Sequence, residues 1–159
     1  MAFLTRPVMN DTPPWKSVQA VQSTALVSQL TTSVTNTATS ATQVTGLTAK
    51  TNLVSPMTQY FRVTLTGDSL SNSGANSVIL TLWAGTVGTG TQVAQYSDSA
   101  ASGALAALSA VFYVPVSTTS ALVPGSQYTL NIGMHGSGAG TNTMYASTTA
   151  PVTMVVEAI

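Results

Sequence analysis

The stretch YFRVTLTGDSLSNSGANSVILTLWA, residues 60–84, decides the fold. Phe61, Val63 and Leu65 alternate with Tyr60, Arg62, Thr64 and Thr66, so one face is apolar and the other mixed. After GDSLSNSGAN the alternation resumes, with Val78, Leu80, Leu82 and Ala84 set against Ile79, Thr81 and Trp83. Period-two alternation in β-branched and aromatic residues marks strands packed on a core. The intervening segment holds Gly67, Gly74, Asn72 and Asn76, residues that tolerate positive φ and end strands at little cost. The stretch therefore predicts a long-looped β-hairpin, with the other strands laid around it.

C-terminal to this stretch, GTVGTG turns the chain and Thr91–Tyr96 forms a further strand, followed by a small, polar loop over residues 97–103. In Leu105–Val114 a helical start gives way at Leu108, where Leu108, Ala110, Phe112 and Val114 alternate with Ser109, Val111 and Tyr113. Val123-Pro124-Gly125-Ser126 has the residues of a type II turn, Pro at the second place and Gly at the third. It launches Gln127–Met134, where Tyr128, Leu130, Ile132 and Met134 share a face. The glycine loop HGSGAGTN (residues 135–142) precedes a short strand at Met144–Ser147, and Pro151 introduces a last strand, VTMVVEAI. N-terminal to the deciding stretch, Thr42–Thr51 is a strand whose apolar face changes at Gly46, the mark of a bulge. Residues 18–30 fit a short amphipathic helix or a strand, and the surrounding Thr runs favour the strand. Eight or nine short strands without an internal repeat make an all-β fold, an antiparallel two-sheet sandwich of jelly-roll type.

Residues 1–16, MAFLTRPVMNDTPPWK, differ in texture from everything after them. They hold three of the seven prolines, and Pro13-Pro14 forces an extended course. Phe3, Leu4, Val8, Met9 and Trp15 make the segment too apolar for a free tail. It either folds back on its own sandwich or docks on a neighbouring subunit or another protein, and the second is the expectation adopted. The chain thus divides into an extended arm, residues 1–17, and a β-sandwich domain, residues 18–159.

Charged residues make up 5% of the 159, against about a quarter in an ordinary soluble domain. Four Lys or Arg balance four Asp or Glu, so the formal net charge is zero. A nucleic-acid surface needs clustered cations, and a polybasic membrane patch needs the same; neither partner is expected. Near-zero net charge promotes association, so a surface covered by partners is expected, with homo-oligomerisation among them. No segment reaches the roughly 18–20 unbroken apolar residues of a membrane helix. The N-terminus shows no basic n-region followed by an apolar h-region, so no secretory signal is expected. The chain has no cysteine, which removes disulfides and thiolate chemistry.

Enzymatic signatures are weak. His135 is the only histidine. Serines, Asp68 and Asp98 supply the composition of a triad, yet no serine sits in a G-x-S-x-G elbow. The carboxylates Asp11, Asp68, Asp98 and Glu157 lie far apart in sequence, whereas glycoside hydrolysis needs two that converge. Residues 67–72 offer one carboxylate, too few to begin a calcium shell. Gly85, Gly88 and Gly90 do not fit a phosphate-binding fingerprint. The expectation is a protein without catalytic residues, metal or cofactor. Its competing class is a carbohydrate-binding module, for which Tyr60, Trp83, Tyr113 and Tyr145 are the aromatic candidates.

The succession QLTTSVTNTATSATQVTGLTAKT, YFRVTLTGDSLSNSGANSVILTLWAGTVGTGTQVAQ, ALSAVFYVP, PGSQYTLNIG and VVEAI resembles small jelly-roll virion proteins of tailed bacteriophages. The resemblance covers residues 18–159 and rests on strand order and Thr/Gly/Val texture. It implies a structural role as a capsid decoration (cement), head-fibre or tail-tip protein, commonly as a homotrimer. The Pro-rich arm favours decoration, with Phe3, Leu4, Val8, Met9 and Trp15 as contacts to the major capsid protein or another virion protein. A tail fibre would more often carry a coiled-coil or repeat-rich shaft before the sandwich. The location so implied is the virion's capsid surface, after assembly in the host cytoplasm.

Overall fold

The structure, a computed structural model, describes residues 25–52, 54–74, 76–99 and 104–159. The arm and its five anchor residues lie outside the described residues. Ten strands occur among those described: β1 (Leu26–Leu30), β2 (Val34–Asn36), β3 (Thr42–Lys50), β4 (Tyr60–Asn72), β5 (Val78–Ala84), β6 (Thr91–Asp98), β7 (Ala106–Pro115), β8 (Thr129–Gly136), β9 (Asn142–Tyr145) and β10 (Val152–Ala158). Every pairing between them is antiparallel.

The eight longer strands form two sheets, β1-β10-β4-β7 and β3-β8-β5-β6. Every connection between consecutive longer strands changes sheet, except that from β5 to β6. That is the winding of a jelly roll, the fold class expected from the sequence. β1 lies beside β3, and β6 beside β7, at the two sides of the sandwich. Between the sheets Val44, Leu47, Val63, Leu65, Leu80, Leu82, Ala110, Leu130, Ile132 and Met154 are wholly buried.

Two expectations about the deciding stretch are corrected. Its halves are not a hairpin, because β4 belongs to the six-stranded sheet and β5 to the four-stranded one. Alternation reports which face of a strand is buried. It cannot distinguish strands that bond edge to edge from strands that face each other across a core, and β4 and β5 do the latter. The hairpin is β5–β6, closed by the Gly85–Gly90 turn with Gly85 and Gly88 at φ 93 and 85°. The predicted loop also begins too early. Ser69–Asn72 continue β4 and pair with β9 on one side, while Ser69 and Leu70 pair with β7 on the other. The polar side chains of Ser69, Ser71 and Asn72 are buried, which the bare sequence does not display. Elsewhere β6 runs to Asp98, two residues past the expected strand end, and β2 falls within the Thr-rich run. Gly46 does carry a positive φ, 102°, where the β3–β8 register shifts. Gly125 takes φ 79° in the Pro-Gly turn.

At one end of the sandwich the connections are joined by side-chain amides. Asn72 Nδ2 donates to Asn142 Oδ1 (2.7 Å), and Asn142 Nδ2 donates to Asn36 Oδ1 (2.9 Å). Asn36 Nδ2 reaches the Met134 carbonyl (3.0 Å), and Asn72 Oδ1 accepts from the Gly74 amide (2.7 Å). Asn72 and Asn142 are wholly buried, where an amide is tolerated only with its bonds made. Replacing Asn142 by Ala takes the acceptor from the buried Asn72 Nδ2 and leaves Asn36 Oδ1 with the Ala38 amide alone, and should cost about 1–3 kcal/mol in chemical denaturation. Ser69 gives the contrast. Its Oγ is buried with no partner among the described residues, so Ser69→Ala should change stability by less than about 0.5 kcal/mol, or raise it.

Candidate functional site

The two outward faces of the sandwich differ in chemistry. On the four-stranded sheet, Asn131 Oδ1 accepts from Thr48 Oγ1 (2.7 Å) and Gln43 Nε2 (3.3 Å), and its Nδ2 donates to the Gly85 carbonyl (2.8 Å). Trp83 Nε1 donates to Thr81 Oγ1 (2.9 Å). These hydrogen bonds run between residues of this sheet and its turn, on a face that also holds Ile79 and Trp83.

The outward face of β1-β10-β4-β7 is apolar at its centre. Register places Val27 opposite Val155, Val155 opposite Thr64 and Thr64 opposite Val111, a row running across all four strands. In the next row Glu157 faces Arg62 and Arg62 faces Tyr113. Beyond it Tyr60 lies opposite Pro115 and exchanges backbone hydrogen bonds with Ile159. Among the described residues seven large apolar side chains are exposed, and Val27, Tyr60, Val111, Tyr113 and Ile159 of this face are five of them. Tyr113 is 60% exposed and Val27 60%, values more usual for a charged surface residue. A polar row, Gln29, Thr153, Thr66 and Ser109, bounds the patch on the other side.

The face has one charge of each sign. Arg62 Nε donates to Glu157 Oε2 at 2.8 Å, and Nη2 lies 2.6 Å from the same oxygen. The hydrogen bond and the charge of Glu157 raise the Arg62 pKa above its ordinary value, with a smaller contribution from Tyr113. A pair this exposed adds little stability. Its consequence is that the face carries no net charge.

Several residues singled out in the sequence can now be placed. Ile79 and Trp83 lie on the four-stranded sheet, Val111 and Tyr113 on the other. Of the aromatic candidates, Tyr60 and Tyr113 come together as diagonal neighbours across β4 and β7, a spacing of about 7–8 Å in such sheets. Tyr145 is on β9, its hydroxyl 3.5 Å from Ser71 Oγ. Of the apolar face, Tyr60, Val111 and Tyr113 were picked out in the sequence. Val27, Val155 and Ile159 were in phase with their neighbours in the sequence, but the row exists only once the register is known.

The hydrolytic groups do not converge. His135 stands on β8 with its ring Nδ1 3.1 Å from the Gly136 carbonyl. Ser97 and His135 are both partners of Ile79, one on each side. Two strand spacings, about 9.6 Å, separate their backbones, against the ~3 Å of a serine–histidine bond. Glu157 is engaged by Arg62, while Asp68 sits at the β4 irregularity and Asp98 at the end of β6. Among the described residues no three His, Asp or Glu side chains gather into a metal-binding group.

No protein-family model matches the chain, and no curated protein matches its sequence. Among solved structures it is similar to the VP2 subviral particle of infectious bursal disease virus, at 14% identity and a TM-score of 0.43, over 84% of this chain and 33% of that one. It is also similar to the structures of the Gx strain (14%, TM-score 0.38, 84% of this chain and 37% of that one) and the Gt strain (15%, 0.39, 87% and 38%) of the same virus. The chain spans little more than a third of the length of those viral chains.

Proposed function

We propose that this chain is a non-enzymatic structural protein of a virion, and within that class a capsid decoration (cement) protein of a tailed bacteriophage. The observation that carries the reading is an exposed, apolar, electrically neutral sheet face on a jelly roll that has almost no charge of its own. Contiguous exposed apolar surface is kept for partners, and zero net charge removes the repulsion that would hold copies apart. The sandwich is the body, and residues 1–17 are the arm that reaches the capsid. Phe3, Leu4, Val8, Met9 and Trp15 are its anchors, and each large one that becomes buried contributes roughly 1.5–3 kcal/mol. The prolines have φ already fixed, so less entropy is lost when the arm docks. A homotrimer would repeat the anchors three times and bind through avidity, to the major capsid protein or another virion protein. The location is then the outer capsid surface, after assembly in the host cytoplasm.

A protein beginning at Ser17 should fold and oligomerise as the full chain does, yet fail to bind capsids in co-sedimentation. Unfolding of that shortened protein would place the arm in its own core, and undiminished binding would place the contact on the sandwich. For the full chain, raising salt from about 0.1 to about 1 M shortens the screening length from about 10 to about 3 Å. Capsid binding should change less than threefold across that range.

A second reading is favoured by one observation. Tyr60 and Tyr113 stand diagonally on a flat face beside the Arg62–Glu157 pair, an arrangement able to stack a sugar ring and bond its hydroxyls. It would make the chain a tail-fibre or tail-tip module that binds a glycan receptor. A glycan array should be blank for a decoration protein. Binding that Tyr113→Ala abolishes would transfer the function to the receptor class.

A further inference from the structure

The apolar face ends at an open strand edge, that of β7. Tyr60 N–H donates to the Ile159 carbonyl (2.9 Å) and Ile159 N–H to the Tyr60 carbonyl (2.9 Å), so the backbone polar groups of Tyr60 turn towards the β10 side. Such groups alternate sides along an antiparallel strand, which turns those of Phe61, Val63 and Leu65 towards β7. Their partners Val114, Phe112 and Ala110 are therefore the β7 residues bonded to β4. The bond from Val116 N–H to the Gln59 carbonyl (2.8 Å) has the same phase. The N–H and C=O groups of Ser109, Val111 and Tyr113 point the other way, and among the described residues β7 pairs with no strand but β4.

An open edge is a template for another strand, and shortness, charge and irregularity are what usually blunt it. The other edges are blunted. β1 and β2 have five and three residues. β3 is irregular between Gln43 and Thr48 and ends in Lys50, and β6 is irregular opposite Leu82 and Trp83 and ends in Asp98. β7 runs ten residues, AALSAVFYVP, without a charge. The extra residue at its one register shift belongs to β4, so Ser109–Pro115 is regular. Beside it β6 leaves Val93, Ala94 and Tyr96 only partly covered. Size points to the same partner. Four strands at about 4.8 Å spacing and some seven residues at about 3.3 Å make the apolar face on the order of 450 Å². That is short of the roughly 800 Å² each partner gives to a stable interface, while two such faces side by side offer about 900 Å².

We infer that two copies of this chain pair antiparallel through their β7 edges, about a two-fold axis at Val111. Val111 then stands opposite Val111 of the second copy, with Ser109 opposite Tyr113 on either side of it. Each opposed pair exchanges two backbone hydrogen bonds, and Pro115, which has no N–H, lies beyond them. Opposed residues project to the same face, so the two β1-β10-β4-β7 sheets become one of eight strands with a single apolar surface. Each copy brings a neutralised Arg62–Glu157 pair to that surface, and zero net charge leaves the copies free to approach. The inference rests on the reading of this face as one kept for a virion partner. It leaves the face open to that partner, and it makes the oligomer of that reading a two-fold pair in place of the trimer.

The chain has no cysteine, so any disulfide joins introduced residues. Residues opposed in this way have Cα atoms about 5.5 Å apart, within disulfide reach. Full-length Val111→Cys should therefore oxidise to a linked dimer on non-reducing gels. Val27→Cys, exposed on the same face but seven strand spacings, about 34 Å, from its counterpart, should stay monomeric. No Val111 dimer, or equal linking through Val27, would overturn the inference. Val111→Pro removes an N–H that β4 does not use, a change that edge strands tolerate. It should turn the dimer into a monomer in light scattering with unchanged far-UV circular dichroism, and a dimer that survives it would refute the pairing. Hydrogen exchange on the unmodified protein covers the case in which a variant fails to fold. The amides of Val111 and Tyr113 should exchange within about tenfold of the Phe112 amide. Exchange at least about a hundredfold faster than Phe112 would mean that the edge is open and unpaired. Capsid co-sedimentation reads the function separately. Monomers that still bind capsids would sink the pair alone, while a linked pair that binds none would sink the decoration role and leave the pair standing.

Discussion

A Cβ placed on Gly67 would sit 2.6 Å from Val152 Cγ2 and 3.2 Å from Val152 Cα. This close approach, open only to glycine, is the constraint on which the six-stranded sheet depends. β4 has two partners on one flank, β10 along Phe61–Thr66 and β9 along Ser69–Asn72. On its other flank the register with β7 shifts between Thr66 and Ser69. The bulge bends β4 so that β10 can begin at Val152 against the bend while β9 takes over beyond it. Outer strands inherit the division: β1 lies on β10, and β2 on β9. One strand thereby holds two lanes, an apolar one ending at Ile159 and a polar one ending at the amide cluster.

The amide cluster achieves with neutral groups what many proteins leave to a metal or an ion-pair network. An asparagine side chain offers two donors and an acceptor with two lone pairs, so Asn36, Asn72 and Asn142 can each join two segments at once. Their loops approach closely because three of the contacts fall on glycine. A Cβ on Gly74 would meet the Ala139 carbonyl oxygen, one on Gly138 the Asn76 side chain, and one on Gly140 the Gly74 amide. Bonds between Ser73 and Thr141, and between Ser137 and Ser77, complete the junction. Connections that would otherwise be independent loops become one body, rigid without any charge.

Much of this was legible in the sequence, and the limits have a physical origin. Alternation located the longer strands and their buried faces, because burial of one face imposes period two on each strand separately. The Gly46 bulge and the Pro124-Gly125 turn were legible for a similar reason, since each conformation is restricted to few residue types. Pairing was not legible. Residues 60–84 look alike whether β4 and β5 bond to each other or face across a core, and the choice is made by β10, β9 and β8 far along the chain. The apolar outward face was hidden for the same reason, its members coming from β1, β4, β7 and β10. Asn72 and Asn142 read as loop residues because asparagine usually is one. Their burial depends on partners about 70 and 106 positions away.

The distribution of charge decides what kind of recognition this surface can support. Of the five charged side chains in the described residues, Arg62 and Glu157 neutralise each other, and Lys50, Asp68 and Asp98 stand on three different strands. No region of the described surface therefore holds a field of one sign, and long-range steering of a partner has no source. What distinguishes one side of the sandwich from the other is whether its polar groups are already satisfied. On the four-stranded face Gln43, Thr48 and Asn131 bond to one another, as do Thr81 and Trp83. The six-stranded face exposes valine and tyrosine at positions fixed by strand register, so its selectivity is one of shape and contact at short range. A surface of that kind discriminates only once something is seated on it. Rigidity of the sheet beneath, set by the Gly67 bend and the doubly bonded β4, is then what makes the selectivity possible.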